Sequence, residues 1–505
     1  MKYLLTLLLV CLPLAFPAHA ADDVGAAARG VVRVVTVAMV DGEVVGFGHG
    51  SGVAVSPTRI VTNAHVVESA VRYPGNVAVG VVPSEGQKSY AARLIAIDAR
   101  RDLALIELTE GRVPAATIFT GPVAAGLDVV ALGYPGNVDL ASARTANDYI
   151  LPRAPVRSEG DISAIQSVQG IATLLHTANI ARGNSGGPLV DGCGRVIGIN
   201  SFMTRADEGD AGFAFAVAAR ELTAFLAESR QSYNAIGTAC VSLAEAEARD
   251  RAAAEVGAKA ASAANADRDA ATAAELKQRE RAAAEAALNA RENRLALAGV
   301  LLVLAAMATG AGWVWARAGS ARSRLGWAAG GLLALAAAGL FVTRPSLVEL
   351  APAAPPTAGT ATTLPAIPTG QRVCTLRPER SRITVSKADN VTIDLGANGC
   401  VSGRTQYAPA DEGGWTRTFL PTEDASVGIA ALSADGAIYR VERWLPGSDT
   451  LAKLRSLRSG ADTKSCTSDA DTLARLSAAQ DAIRAALTEA PNERLVYECV
   501  GTGGN

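Results

Sequence analysis

Two apolar runs in the second half of the chain limit its fold more than any other feature. "LALAGVLLVLAAMATGAGWVWA" (Leu295–Ala316) and "LGWAAGGLLALAAAGLFV" (Leu325–Val342) contain no charged residue over 22 and 18 positions. Each is long enough to cross a hydrocarbon layer of roughly 30 Å as a helix. A bilayer offers no water to unpaired backbone groups, so helical spans are the expected form. The loop "RAGSARSR" (317–324) holds Arg317, Arg322 and Arg324 and no acid. Basic loops stay on the cytoplasmic side, which predicts a hairpin with both long flanks outside. Trp313, Trp315 and Trp327 lie near the span ends, where interfacial aromatics belong. Recurrent Gly and Ala let two such helices approach closely.

The first twenty residues, "MKYLLTLLLVCLPLAFPAHA", agree with export. Lys2, an apolar stretch and the small-x-small ending Ala18-His19-Ala20 read as a cleaved secretory signal, and Cys11 leaves with it. Six cysteines remain: Cys193, Cys240, Cys374, Cys400, Cys466 and Cys499. An even number in an exported chain, with no C-x-x-C pair, favours disulfides over metal. Six cysteines allow 15 connectivities, and nearest-neighbour pairing is the arrangement expected first. No metal and no cofactor is called for. A net charge of -2 with mixed signs gives no reason to expect nucleic acid as a partner.

Four further regions separate by composition. Residues 21–242 contain short β-branched runs punctuated by Gly and Pro, among them "GVVRVVTVAMV", "SGVAVS", "RIVTN", "ARLIAID", "LALIEL", "DVVALGYPG", "RVIGINSF" and "GFAFAV". Such runs predict an all-β barrel pair or sandwich, closed by a helix over "AVAARELTAFLAESR". Residues 243–294 are rich in Ala, Glu and Arg without proline, and a continuous helix there would reach roughly 75 Å. It reads either as a coiled-coil stalk that joins chains into a homo-oligomer or as a lone helical spacer. The missing pattern of large a/d residues favours the spacer. Residues 343–371 form a Pro/Ala/Thr-rich linker. Residues 372–505 read as a small, disulfide-containing α+β module. Strands are expected at "SRITVS", "NVTIDL", "AIYRVERWLP" and "RLVYEC", and a helix at "DADTLARLSAAQDAIRAAL". Trp415 and Trp444 stand beside arginines and read as a core edge ahead of a ligand face.

Chemistry concentrates in "ARGNSGGPLVDG" (Ala181–Gly192), where Ser185 sits among glycines. A serine hydroxyl attacks only with help from a base, an orienting acid and oxyanion donors. After the signal the chain has three histidines: His49 in a glycine-rich loop before a strand, His65 where a strand ends and a turn begins, and His176 with strand-like neighbours. Asp102 precedes the alternating "LALIEL", which would hold its carboxylate partly buried, able to fix an imidazole tautomer. One base suffices, so two of the histidines are expected to be structural.

"TNAHVV", "DLALIEL" and "GNSGGPLV", in the order His, Asp, Ser, resemble the trypsin-like (chymotrypsin-fold) serine proteases and especially their bacterial Deg/HtrA branch. "GSGVAVSPTRIVTNAHVV", "GRVIGINS" and "GFAFAV" strengthen the likeness, which covers about Gly30 to Arg230. No PDZ-like segment follows it. The resemblance implies two six-stranded β-barrels with the site in the cleft between them. It implies His65 as general base, Asp102 as its orienter, Ser185 as nucleophile, and the N–H groups of Gly183 and Ser185 as oxyanion hole. It puts Asn179 at the base of the substrate pocket, with Ile199, Asn200 and Ser201 along its wall. A neutral Asn179 implies small or medium uncharged side chains at the cleavage site. Two positions depart from the branch: Arg182 stands where proline is usual and Thr177 where aspartate is usual.

The expected protein is therefore a serine endopeptidase acting on envelope proteins or peptides, in protein quality control or regulated proteolysis. It would be multi-pass in the inner (cytoplasmic) membrane through two helices, with its protease and C-terminal modules on the periplasmic side. The alternative is a non-catalytic envelope sensor or scaffold that uses the protease fold as a binding module.

Overall fold

β-Branched residues favour the extended chain, and a run of them from Val31 opens a closed six-stranded barrel. Its strands are β1 (Val31–Val40), β2 (Glu43–Ser56), β3 (Arg59–Thr62), β4 (Val77–Pro83), β5 (Tyr90–Asp98) and β6 (Leu103–Leu108). They pair antiparallel in the order β1-β2-β3-β6-β5-β4, and β4 returns to β1, so no edge is left open. Val32, Val34, Ile60, Val81, Ala104 and Ile106 belong to the interior cluster. The structure is a computed structural model and describes residues 22–142, 144–204, 212–343, 369–386, 389–396, 399–410, 413–421, 425–458 and 466–502. The expected signal (1–20) and most of the expected linker (343–371) lie outside the described residues.

A short helix, α1 (Asp23–Ala28), precedes the barrel, its Gly25 N–H donating to the Asp22 carboxylate at 2.8 Å. Helix α2 (Ala64–Arg72) follows β3. The second barrel contains β7 (Thr117–Phe119), β8 (Asp128–Gly133), β9 (Val156–Val168), β10 (Ile171–His176), β11 (Pro188–Asp191), β12 (Val196–Met203), β13 (Ala214–Ala218) and β14 (Asn234–Ile236). Because β11 pairs with both β8 and β12, six of these strands close into a ring, and β7 and β14 are added to it in parallel. Helices α3 (Gly136–Ser142) and α4 (Ala219–Glu228) flank this region. α4 buries Leu222, Phe225 and Leu226 against a cluster drawn from both barrels, as a closing helix should. Cys193 and Cys240 form a disulfide, the nearest-neighbour pair expected.

The chain divides into two units, one of residues 1–253 with 364–505 and the other of residues 254–363. Helix α5 (Leu243–Arg317) begins in the first unit and continues without a break through the second, from the Ala-rich segment into the apolar run, and α6 (Ser323–Val342) follows. Both helices are long and apolar enough to cross a membrane. They meet where side chains are absent: a Cβ on Gly326 would lie 2.7 Å from Gly312 Cα, and one on Gly330 would lie 2.4 Å from Thr309 Cγ2. Leu297, Leu302, Val303, Leu332 and Leu335 point outward and exposed.

The C-terminal module is a nine-stranded antiparallel sheet with two helices, in the first unit with the barrels. Its elements are β15 (Gly370–Leu376), β16 (Val391–Leu395), β17 (Cys400–Val401), β18 (Thr405–Gln406), β19 (Ala408–Pro409), β20 (Trp415–Phe419), β21 (Val427–Leu432), β22 (Ile438–Trp444), α7 (Ser448–Arg458), α8 (Ala470–Ala485) and β23 (Glu493–Gly501). The expected helix and three of the four expected strands are present. "SRITVS" is not a strand. Its Thr384, Val385 and Ser386 N–H groups all donate to one oxygen of the fully buried Glu493, at 2.7, 2.6 and 2.8 Å, instead of joining a ladder. Nearest-neighbour pairing also fails here. The bridges are Cys374–Cys499 and Cys400–Cys466, because β15 pairs with β23 and sets Cys374 opposite Cys499. Trp444 lies in the module core and donates to Glu489 O at 2.9 Å.

The module packs on α1 and on the start of α5 through buried ion pairs. Arg382 reaches Asp23 of α1, and Asn492 donates to the same carboxylate at 2.8 Å. Asp250, in the first turns of α5, accepts from Arg380 at 2.6 Å and from Arg440 at 3.0 Å. Removing one partner of such a buried pair typically costs about 3–5 kcal/mol.

Candidate active site

β3 delivers the chain to His65. The β-branched "RIVT" ends at Asn63, and α2 begins at once, placing His65 on its first turn. Asp102 is held in the left-handed region (φ 52°), which aspartate tolerates better than most residues. Neighbouring contacts fix that turn: Asn63 Nδ2 donates to Asp102 O at 2.7 Å, and Arg101 pairs with Asp98, Glu221 and Glu228. The result is a close pair. His65 Nδ1 lies 3.0 Å from both oxygens of Asp102, and the His65 N–H donates to Oδ1 at 3.1 Å. This hydrogen bond raises the His65 pKa above its ordinary 6.5, partly opposed by burial.

Ser185 comes from the turn between β10 and β11. Gly183 (φ 102°) and Gly186 (φ 87°) occupy backbone angles that side chains resist, and neither has space for one. A Cβ on Gly183 would lie 2.3 Å from Tyr134 O, and one on Gly186 would lie 2.2 Å from Ser51 O. Ser51 ties the turn to β2: its N–H donates to Ser185 O at 2.8 Å and its hydroxyl to Gly183 O at 2.7 Å. Among the described residues the N–H groups of Gly183 and Ser185 have no intramolecular acceptor. Two such donors on one turn can stabilise a developing oxyanion. The Ser185 hydroxyl donates to Ser201 O at 3.0 Å, not to His65.

The four residues named for the substrate pocket fall into different places. Asn179 is exposed on the chain before the serine turn. Ile199 and Asn200 are fully buried, Ile199 inside the inter-barrel cluster, so a pocket wall there is backbone, not side chain. Ser201 turns to the other task, its hydroxyl donating to Asp102 Oδ2 at 2.5 Å. This third donor on Asp102 was not readable from sequence, where Ser201 looked like one more wall position; nor was the anchoring by Ser51. At the two departures, Thr177 bonds across to Asp161 and the Arg182 carbonyl accepts from Gly136 N–H at 2.7 Å.

The other histidines have different settings. His49 lies within β2, not in a loop; the glycines around it belong to the strand because larger residues would strike the barrel interior. A Cβ on Gly50 would lie 2.6 Å from Val66 Cγ2, and one on Gly52 would lie 2.8 Å from Ile60 Cγ2. His49 Nε2 is 3.2 Å from Tyr134 O and 3.3 Å from Asp139 Oδ2, and burial lowers its pKa. His176 is fully buried at the end of β10, and burial pushes it down to about 4, so it stays neutral near pH 7. Among the described residues no group of His, Cys, Asp and Glu is arranged to hold a metal.

Residues 50–199 match the trypsin-like peptidase domain. The chain is 32% identical over 197 residues to "Serine protease Rv3671c" of Mycobacterium tuberculosis, covering 38% of this chain and 45% of that protein. It is 32% identical over 181 residues to "Magnetosome formation protease MamE" of Paramagnetospirillum magneticum, covering 35% and 23%. It is 32% identical over 198 residues to "Serine protease Do-like HtrA" of Lactobacillus helveticus, covering 37% and 44%. The chain thus spans less than half the length of these relatives.

Proposed function

We propose that this chain, which carries a trypsin-like serine peptidase domain, is a membrane-anchored endopeptidase that cleaves envelope proteins through an acyl-enzyme. The observation that carries the reading is the convergence of a hydrogen-bonded His65–Asp102 pair, Ser185, and the two unclaimed N–H groups of Gly183 and Ser185. Ser185 Oγ leaves Ser201 O, gives its proton to His65 Nε2 and attacks the scissile carbonyl. Asp102 holds the imidazole by Nδ1 and stabilises the imidazolium. The carbonyl oxygen, now negative, takes the Gly183 and Ser185 N–H groups. His65 then protonates the leaving amine, and water repeats the sequence on the acyl-enzyme. Asn179 at the pocket base selects small or medium uncharged side chains.

The placement is also proposed. A secretory signal, two apolar helices and a purely basic loop between them support an inner-membrane hairpin with protease and C-terminal modules in the periplasm. The substrates are misfolded or specific envelope proteins.

One observation favours the second reading, a binding scaffold: the Ser185 hydroxyl donates to Ser201 O. Fluorophosphonate labelling of the exported chain separates the two. Labelling that disappears in Ser185→Ala supports the peptidase; no Ser185-dependent labelling under any condition supports the scaffold.

A further inference from the structure

The turn that carries Ser185 is held between two strands, and its two sides offer different surfaces. On one side is β12: the Gly186 N–H donates to Asn200 O at 2.8 Å and the Ser185 hydroxyl to Ser201 O at 3.0 Å. That side already has a proposed occupant, the residue before the scissile bond. On the other side is β2. The Ser51 N–H donates to Ser185 O at 2.8 Å, a Cβ on Gly50 would lie 3.0 Å from the same oxygen, and one on Gly183 would lie 2.8 Å from His49 Nε2. A chain that is cut continues past the nucleophile, so the part that leaves as the amine passes over β2.

Beyond His49, β2 belongs to an apolar face. Residues paired across strands share a face of the sheet, and residues two apart return to it. The register sets Val35 opposite His49, Val37 opposite Phe47 and Met39 opposite Val44, with Val45 left out of the ladder. On the other side of β1, Ala78 of β4 stands opposite Val37. The reverse face of these strands, with Val32, Val34 and Val81, fills the barrel. Val35, Val37, Met39, Val44, Phe47 and Ala78 therefore form an outer face without a charged side chain. Met39, Val44 and Phe47 are exposed on it. Tyr149 meets Phe47 edge to face at 5.4 Å, and Ile150 and Leu151, which follow it, are exposed as well. Large apolar side chains scattered singly over a surface need no explanation, but a group of them beside a reactive turn marks a binding face.

On the premise that the chain is a peptidase, as read above, we propose that this face binds the substrate segment that follows the scissile bond and selects large apolar side chains in it. The Phe47 and His49 rings are 6.3 Å apart. An extended residue spans about 3.3 Å, which puts the selection about two to three residues past the cut. With an uncharged residue before the bond, the preferred substrate is an extended apolar stretch, of the kind that a folded protein buries and an unfolded one exposes.

The test uses the full chain in detergent micelles and two quenched fluorescent peptides. They are alike up to the scissile bond and carry Leu-Leu or Ser-Ser at the second and third positions after it. The Leu-Leu peptide is expected to be cleaved with a kcat/KM about tenfold higher or more. In Phe47→Ser that ratio should fall to about one, and Phe47→Leu should restore most of it. The ratio compares two substrates on one preparation, so a loss of folded enzyme does not move it. Met39→Ser should lower it by a smaller factor. An acyl ester with a small alcohol as leaving group does not reach the face and reports on Ser185 alone. Without Ser185-dependent ester turnover, the peptidase assignment falls and this proposal falls with it. Ester turnover with equal kcat/KM for the two peptides, or a ratio unchanged in both Phe47→Ser and Met39→Ser, overturns this proposal alone. So does a self-associated chain that Phe47→Ser dissociates, since a second copy would then occupy the face.

Discussion

Two histidine–aspartate pairs in the barrel region contain the same chemical groups and offer opposite properties. The His65 side chain is 48% exposed and Asp102 26%, whereas His49 and Asp139 are 14% and 6% exposed. Asp102 serves His65 with both oxygens, while Asp139 gives its closer contact, 2.6 Å, to the buried Arg33 and stands 3.3 Å from His49. Hydrogen bonding therefore raises the His65 pKa, and burial lowers that of His49. An acid beside an imidazole does not define a base. Access to water, and what else competes for the carboxylate, decides which pair can move protons and which one braces the fold.

Removing the groups proposed to react should separate the pairs most sharply. Ser185→Ala or His65→Ala is expected to lower kcat by about 10⁶-fold, whereas His49→Ala stays within about tenfold. Peptide hydrolysis by purified variants measures this, and equal losses for the two histidines would erase the distinction. The acids come next. Asp102→Asn should lower kcat by about 10⁴-fold through the wrong imidazole tautomer. Asp139→Asn should leave kcat nearly unchanged but cost about 3–5 kcal/mol in denaturant unfolding, since Arg33, 1% exposed, loses its carboxylate.

A pH profile gives a smaller but cleaner contrast. The base must be neutral to accept a proton, so kcat/KM rises with pH along a limb set by His65. Its raised pKa puts that limb above 6.5, while His49, shifted down, titrates below it. Imidazole NMR titration assigns each, and a reversed order would contradict the structural contrast. The smallest effect is expected from Ser201→Ala, which removes one donor from Asp102. A hydrogen bond to a charged group is worth roughly 1.5 kcal/mol or more, so kcat should fall about tenfold. An unchanged kcat would reduce Ser201 to a wall residue.

Local signals carried much of this. The strands of the first barrel announce themselves through β-branched runs, and His65, Asp102 and Ser185 each stand on a short motif. What stayed hidden depends on partners far along the chain. His49 read as loop because its glycines mimic one; only the packing of Val66 and Ile60 explains why a strand needs them. "SRITVS" has strand composition, but a buried Glu493 more than a hundred residues away takes its N–H groups. Disulfide pairing followed the β15–β23 register, which no spacing of cysteines encodes. Ser201 acquires its role only when β12 passes beside the turn that bears Asp102.

The Cys374–Cys499 bridge ties the first strand of the C-terminal sheet to the last, across 125 residues. Covalently, that makes the module a ring. A single peptide-bond break anywhere inside it opens the ring without releasing either piece. For a protein proposed to cut other chains beside copies of itself, nicking becomes damage that can be survived, and fragments appear only after reduction.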